Sequence, residues 1–181
     1  MTFVFVSGDL ALDFAGTLKW RRSEPEEQLS TSDDAARWAV EAGVLTALPR
    51  VDATELRRLQ ALRETVYRLV CDGLAGRDHH PADLRALNRA AAGAPTRVTL
   101  TAHGIRRTGD ASTVATAVAV AAVELLAALD GTRVRECARP ECTRLFVDRS
   151  RAGNRTWCGM EECGNRVKAA SYRIRHTAAR G

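Results

Sequence analysis

The chain lacks an apolar run long enough to cross a membrane. Its most apolar stretch, residues 114–129, spans 16 residues and contains Glu124, whereas a membrane-spanning helix needs about 20 apolar residues. A basic secretory leader is lacking too, since the first residues carry acids at Asp9 and Asp13 instead. We therefore expect a cytoplasmic protein without a membrane segment. In that compartment, clustered cysteines favour metal or redox chemistry over disulfides.

Signatures of catalysis are also missing. The sequence contains no phosphate-binding loop and no nucleophile paired with a base. His79 and His80 precede a predicted helix, as capping or surface residues do, and His103 falls in a predicted turn. His176 lies in the basic tail, where a solvated or phosphate-contacting side chain is expected. We therefore expect that the protein is not an enzyme.

Lysine is scarce: the chain has 2 Lys against 25 Arg, a bias typical of a GC-rich coding sequence. Such a bias would spread evenly, but the net charge does not. Residues 1–130 hold 15 basic and 17 acidic side chains, a net charge of −2, and residues 131–181 hold 12 and 5, a net charge of +7. A basic excess confined to one segment favours a polyanionic partner, most often nucleic acid.

Hydrophobic periodicity predicts an α+β first domain over residues 1–130, mostly helical with a small antiparallel sheet. Residues 3–6 alternate as a strand does, and residues 97–109 predict a hairpin. Apolar residues at helical spacing predict helices that begin near Leu10, Thr31, Asp52, Pro81 and Ser112. The last helix is apolar nearly all round, so we expect it to be buried at the centre. A domain boundary is expected at residues 130–132.

Cysteine is concentrated in the C-terminal tail, which holds four of the five in the chain. They form two C-x4-C pairs separated by 15 residues: Cys137 with Cys142, and Cys158 with Cys163. A segment of about 50 residues with few large apolar side chains usually needs a metal or disulfides to fold. Four thiolates suit tetrahedral zinc and leave no open position, so the predicted site is structural. A redox dithiol pair and a disulfide frame are the alternatives.

The sequence between and beside the cysteines predicts how the pairs come together. Residues 145–148 and 155–158 are predicted strands of a hairpin. Gly159 and Gly164 each follow a cysteine, where the missing Cβ allows backbone N–H groups to turn towards sulfur. Cys71 stands apart and is predicted to be an ordinary buried thiol. Four arginines are near enough in sequence to offset the negative charge of a zinc–thiolate cluster: Arg139, Arg144, Arg155 and Arg166.

A basic helix is predicted to begin at Cys163, which gives the order of a treble-clef finger. Its cationic residues are Arg166, Lys168, Arg173 and Arg175, which we assign as contacts to duplex DNA. Arg173 and Arg175 favour this assignment because they lie too far along the helix to neutralise the metal. In the alternative, the protein is an interaction adaptor: the finger is only a structural staple, and the basic helix binds an acidic partner.

These residues resemble a known family. The sequence C-G-N-R at residues 163–166 resembles the CGNR zinc finger, which we place at residues 133–178. In that family the finger follows an ABATE domain that opens with L-x-L-D-F-x-N-T; residues 10–17 read LALDFAGT, so Gly16 replaces the usual Asn. The resemblance implies a bacterial stress-induced transcription regulator with a DNA-binding finger and no catalytic residue. It also implies four zinc ligands: Cys137, Cys142, Cys158 and Cys163.

The first domain is a candidate for effector sensing or for formation of a homodimer. An effector pocket would combine polar and aromatic side chains, and the candidates are Asp13, Trp20, Arg21, Arg22 and Trp38. We favour the alternative, in which the tryptophans belong to the core and the arginines to the surface.

Overall fold

The computed structural model describes residues 2–169 of the 181-residue chain. The predicted DNA contacts Arg173 and Arg175, and also His176, lie outside the described residues. The α-helices are α1 (Leu10–Ala15), α2 (Ser32–Glu41), α3 (Ala53–Leu74), α4 (Pro81–Ala91) and α5 (Ala111–Ala127). The strands are β1 (Leu18–Lys19), β2 (Glu26–Glu27), β3 (Arg97–Thr101), β4 (Gly104–Thr108), β5 (Val134–Glu136) and β6 (Leu145–Val147). They pair in chain order as antiparallel hairpins, which confirms the α+β prediction.

Local hydrogen bonds define two helix starts that the sequence predicts. The Thr31 hydroxyl accepts from Asp34 N–H (3.1 Å), and the Asp34 carboxylate accepts in return from Thr31 N–H (3.0 Å). Asp52 and Glu55 form the same reciprocal pair at the start of α3. Each pair satisfies backbone donors that a helix start leaves without partners, so both predicted helix starts are confirmed.

Helices α1, α3, α4 and α5 share one apolar core. The ring of Trp38, on α2, closes this core against Phe14 of α1, with the ring centroids 4.7 Å apart. The chain bends sharply after α2 at Gly43, whose φ of 72° is a backbone conformation that favours glycine. Helix α2 therefore ends just before this glycine.

Helix α5 lies at the centre of the helical region and contacts α1, α3 and α4. Its outer face is nevertheless open, since Val120 and Val123 are 39% and 37% exposed. The prediction of burial nearly all round is therefore wrong for this face, because the neighbouring helices cover only the opposite side. Across residues 2–169, no helix is both long and apolar enough to span a membrane.

The N-terminal segment, residues 2–8, does not form the strand that its alternating apolar residues predict. A backbone bond from Val147 N–H to Ser7 O (2.7 Å) joins it to β6. The carbonyl oxygens of Val4 and Val6, however, accept from arginine side chains of the C-terminal region. The strand prediction is wrong because side-chain donors replace the backbone ladder that defines a sheet.

The C-terminal hairpin also differs from its prediction. Strand β6 pairs with β5, in the register Val134 with Val147 and Glu136 with Leu145, and residues 155–158 are not a strand. The first cysteine pair therefore lies at the turn of the β5–β6 hairpin rather than before it. Both thiols of the first pair thus lie in the loop at residues 137–144, which connects the two strands.

The second cysteine pair opens a helical segment, as predicted. Met160–Gly164 form a single wide π-helical turn, and residues 165–169 continue as α-helix. Cys163 lies in the first turn of this segment. The β5–β6 hairpin, the loop at its end and the helical segment therefore surround the four cysteines. This arrangement is the treble-clef-like finger that the sequence predicts.

Candidate metal centre and its junction with the helical domain

The four cysteines of the tail converge at one point. Their sulfur atoms all lie within 4.8 Å of one another, and all four side chains are buried. Cys142 Sγ and Cys158 Sγ are 3.9 Å apart, and Cys158 Sγ and Cys163 Sγ are 3.6 Å apart. Both C-x4-C pairs therefore contribute to one cluster.

The sulfur spacing fits a tetrahedral zinc ion. A Zn–S bond is about 2.3 Å long, so tetrahedral geometry separates the sulfurs by about 3.8 Å. The two measured distances lie on either side of that value. Thiolate donors select soft metals such as zinc over magnesium or calcium. Because four protein donors complete the coordination of zinc, the ion is structural and offers no position to a substrate.

Local backbone bonds position the thiols. Cys137 N–H bonds to Arg144 O (3.0 Å) across the hairpin, and Cys163 N–H bonds to Gly159 O (3.0 Å) in the first helical turn. Cys158 N–H donates to Cys137 Sγ (3.4 Å), which links the two pairs. A hydrogen bond to a ligating sulfur fixes its orientation and stabilises the thiolate.

An apolar shell encloses the cluster. Phe146 is fully buried and Trp157 is half-buried against the cysteines. The Arg155 guanidinium carbon lies 4.4 Å from the centroid of the Phe146 ring. The same guanidinium donates to Trp157 O (2.9 Å) and to Cys158 O. These two aromatic side chains pack against the cysteines, while Cys142, Cys158 and Cys163 also border a recess on the protein surface.

The thiols strongly affect one another's protonation. Hydrogen bonds from Cys142, then from Cys158 and Cys163, hold the pKa of Cys137 far below its ordinary value. The thiolate is the form that binds metal. The hydrogen bond with Cys137 in turn holds the pKa of Cys142 and of Cys158 above its ordinary value, so metal binding must displace the protons of these thiols.

The four arginines predicted to offset the cluster charge do not act alike. Arg139 does contact the cluster: burial lowers the pKa of its guanidinium, but hydrogen bonds to Glu141 and Cys163 outweigh burial and raise the pKa. Arg144 and Arg155 instead direct their guanidinium groups at backbone carbonyl oxygens. Proximity in sequence thus predicts the location of these side chains but not their partners.

Of the two glycines beside the cysteines, packing accounts for Gly164 but not for Gly159. Gly159 has a φ of −168°, an extended conformation that any residue adopts. A Cβ at Gly164 would lie 2.6 Å from Met160 Sδ and 3.1 Å from Trp157 Cδ1. Gly164 is therefore required because its neighbours leave no room for a side chain.

Both parts of the chain match models of known protein families. A family model named ABATE, described as "Putative stress-induced transcription regulator", matches residues 8–129. The chain belongs to the ABATE family. A CGNR zinc finger model matches residues 133–176 of this ABATE protein, so both resemblances found in the sequence are confirmed. No curated protein shows significant similarity to the chain.

Three arginines of the CGNR finger bind the N-terminal segment of the ABATE domain. Arg144 Nη1 donates to the carbonyl oxygen of residue 4 (2.9 Å), Arg155 Nη2 to that of residue 6 (2.8 Å) and Arg149 Nη2 to that of residue 8 (2.6 Å). Three alternate carbonyl oxygens of this segment therefore accept hydrogen bonds from the finger.

Further contacts close the junction between the ABATE domain and the finger. Arg22 forms an ion pair with Glu136 of β5 (2.6 Å), and Arg21 N–H donates to the Thr143 hydroxyl (3.2 Å). Arg144 is only 6% exposed although it is charged. A buried guanidinium is costly unless its donors are satisfied, so Arg144 makes the position of the finger specific.

Gly16 and Arg144 occupy adjacent space in this junction. Arg144 Nη2 donates to Gly16 O (3.4 Å), and a Cβ at residue 16 would lie 2.6 Å from Arg144 Nη1. Gly16 has a φ of −69°, which any residue can adopt. The glycine is therefore needed for space and not for backbone conformation. The Asn that the family motif usually has here would carry that Cβ.

We expect Gly16→Ala to destabilise the protein by about 1–2 kcal/mol, because the added methyl displaces the Arg144 guanidinium. Urea unfolding of the zinc-loaded chain measures this change. Gly131→Ala is the control, since a Cβ there meets no atom within 4 Å. If displacement of the guanidinium is the cause, the cost of Gly16→Ala should largely vanish in an Arg144→Met background. An equal cost in both backgrounds would contradict this explanation.

The structure describes two of the four predicted DNA contacts. Arg166 and Lys168 lie on the helical segment and are exposed. Neither forms a hydrogen bond or an ion pair with any residue between 2 and 169. Arg166 also lines a recess of about 320 Å³ that Arg139 and Lys19 share. The assignment of these residues as DNA contacts stays a prediction.

The five residues proposed for an effector pocket are not brought together. Trp38 lies in the apolar core, and Asp13 accepts from a backbone N–H of the N-terminal segment (2.9 Å). Arg21 and Arg22 form separate ion pairs with carboxylates of α3 and β5. Trp20 stands in a turn with a φ of 51°. The alternative interpretation, in which tryptophans lie in the core and arginines at the surface, is correct for Trp38 and for Arg22.

Proposed function

We propose that this ABATE protein is a DNA-binding transcription regulator whose CGNR finger forms the DNA contact surface. The observation that carries the proposal is exposed positive charge next to a closed metal site. Arg166 and Lys168 lie on the helical segment that Cys163 begins, and their charges are not paired within residues 2–169. Because a structural zinc ion has no open position for a substrate, the role proposed for the finger is binding and not catalysis.

Other charges of the finger support the same surface. Residues 133–169 hold 9 basic and 5 acidic side chains. Arg151, in the loop before the second cysteine pair, is exposed and has no ion pair within the described range. Guanidinium groups bind phosphate oxygens through paired N–H donors, so such a surface suits the backbone of duplex DNA.

A salt titration tests the proposal directly. We expect the affinity for duplex DNA to fall with salt, with a slope of about −0.9 in log K against log salt for each phosphate contact. Replacing Arg166 and Lys168 together with Gln removes two contacts, so the slope should become less negative by about 1.8. Fluorescence anisotropy with a labelled duplex measures both quantities, and zinc content confirms that the variant keeps its finger.

The matched control is Arg50→Gln, which removes an exposed charge from the loop before α3. It should leave the slope unchanged. A wild-type chain that binds no duplex DNA at low salt would contradict the proposal and favour the interaction adaptor, in which the same cations bind an acidic protein. The cytoplasmic location, the absence of enzymatic activity and the homodimer stay predictions.

A further inference from the structure

Helices α3, α4 and α5 line a cavity that is open to solvent on one side and whose lining belongs entirely to the ABATE domain. Its volume is about 520 Å³, within the range of about 300–1,000 Å³ that small-molecule sites occupy. Leu59 and Leu62 of α3 line it and are buried. Ala90 of α4 and Ala115 of α5 line it from the other two helices and are half-buried. The cavity is therefore large enough for an organic molecule and is mostly apolar.

Small residues create this space while the helices around it stay in close contact. A Cβ on Gly93, at the end of α4, would overlap Thr116 Oγ1 of α5, so the two helices touch at one end of the cavity. The Thr116 hydroxyl donates to Ser112 O (3.0 Å) and needs no further partner. An occupant would therefore gain mainly by removing apolar surface from water.

The edge of the cavity carries two basic side chains. A hydrogen bond from Glu55 N–H lowers the pKa of the exposed Asp52 carboxylate, and Arg58 lies near enough to lower that pKa further. Arg58 of α3 and Arg89 of α4 are exposed lining residues, and neither forms a hydrogen bond or an ion pair within residues 2–169. Glu55 also lines the cavity, but its carboxylate accepts from Asp52 N–H (2.8 Å) in the helix cap. Two guanidinium groups are thus available to an anion at the edge of an apolar cavity.

We infer that this cavity binds a small amphipathic anion. The apolar part of the ligand lies against Leu59 and Leu62, and its carboxylate or similar group lies between Arg58 and Arg89. A guanidinium pairs with a carboxylate through two parallel N–H donors, which accounts for the choice of an anion over a neutral molecule. The inference does not depend on DNA binding, because every lining residue lies in the ABATE domain.

Titration of octanoate into the full zinc-loaded chain tests this inference. We expect saturable chemical-shift changes at the methyl groups of Ala90 and Ala115 in two-dimensional NMR spectra. Octylammonium, which has the same tail and the opposite charge, should bind at least about tenfold more weakly. An absence of saturable shifts with octanoate, or equal binding of the two probes, would overturn the inference.

Two variants separate the apolar and charged parts of the site. Ala115→Leu fills the cavity and should abolish octanoate binding. Arg58→Gln with Arg89→Gln should weaken octanoate binding about tenfold without unfolding the chain, since both residues are exposed. Arg57→Gln and Arg85→Gln, on the same helices but outside the lining, are the controls and should bind octanoate normally.

Equal octanoate affinity in the double variant and in these controls would show that the arginines do not bind the anion. Sedimentation addresses the other occupant of an apolar cavity, a second copy of the chain. A dimer that Ala115→Leu dissociates would also overturn the inference, because the cavity would then be an interface.

Discussion

Replacing Cys158 with Ser is expected to abolish zinc binding and to unfold the CGNR finger. Cys158 is the most connected ligand, because its sulfur lies 3.9 Å from that of Cys142 and 3.6 Å from that of Cys163. Zinc binding contributes on the order of 10 kcal/mol to folding in comparable peptides, which is as large as the whole stability of many domains. Metal analysis should show loss of the ion, and amide hydrogen exchange should show loss of protection over residues 133–169.

Cys71→Ser is the matched control for this experiment. Cys71 is a free thiol on α3 and does not belong to the four-cysteine cluster. Its replacement should leave the zinc content unchanged. Retention of slow amide exchange in the finger of the Cys158→Ser variant, with no metal bound, would contradict a structural role for zinc.

Arg144→Met is expected to lower the stability of the whole protein and not only that of the finger. The substitution leaves the carbonyl oxygens of Val4 and Gly16 without the donor that now reaches them at 2.9 and 3.4 Å. A buried acceptor that loses its partner costs about 1–3 kcal/mol. For a chain of this length, that cost corresponds to a decrease in Tm of roughly 3–10 °C. Thermal unfolding of the zinc-loaded chain, followed by circular dichroism, measures the change.

Arg149→Met provides the comparison for Arg144→Met. Arg149 also donates to a carbonyl of the N-terminal segment, Gly8 O at 2.6 Å, but its side chain is exposed. Water can replace its hydrogen bond, so we expect a cost below about 1 kcal/mol. Equal losses of stability in the two variants would show that burial of Arg144 is not the source of the effect.

Helix starts and the cysteine cluster could be predicted from sequence because their determinants are local. Thr31 and Asp34, or Asp52 and Glu55, are three residues apart, so short-range geometry alone decides whether they bond. The C-x4-C pairs likewise fix the distance between two thiols before the rest of the chain folds. The sequence also predicts that the two pairs meet, since a segment with so small a core needs one shared metal site to fold.

Strand partners were predicted less well, because a strand pattern specifies a face and not a neighbour. Residues 3–6 alternate as a strand does, yet their carbonyls accept from arginines of the finger. Residues 155–158 were assigned to a hairpin, but β5 is the partner of β6. In the first case, distant arginine side chains form the hydrogen bonds expected of a neighbouring strand. In the second, the short strand β5 pairs with β6 in place of residues 155–158.

The sequence by itself determined the helical order of the ABATE domain, the meeting of four thiols and the basic character of the finger. Only the tertiary structure decided which arginines hold the two parts together and where the helices leave a cavity. Arg144 and Val4 are separated by 140 residues, and the cavity at Leu62 forms where three successive helices pack together. Such contacts depend on how whole elements pack, which no local pattern of residue types encodes.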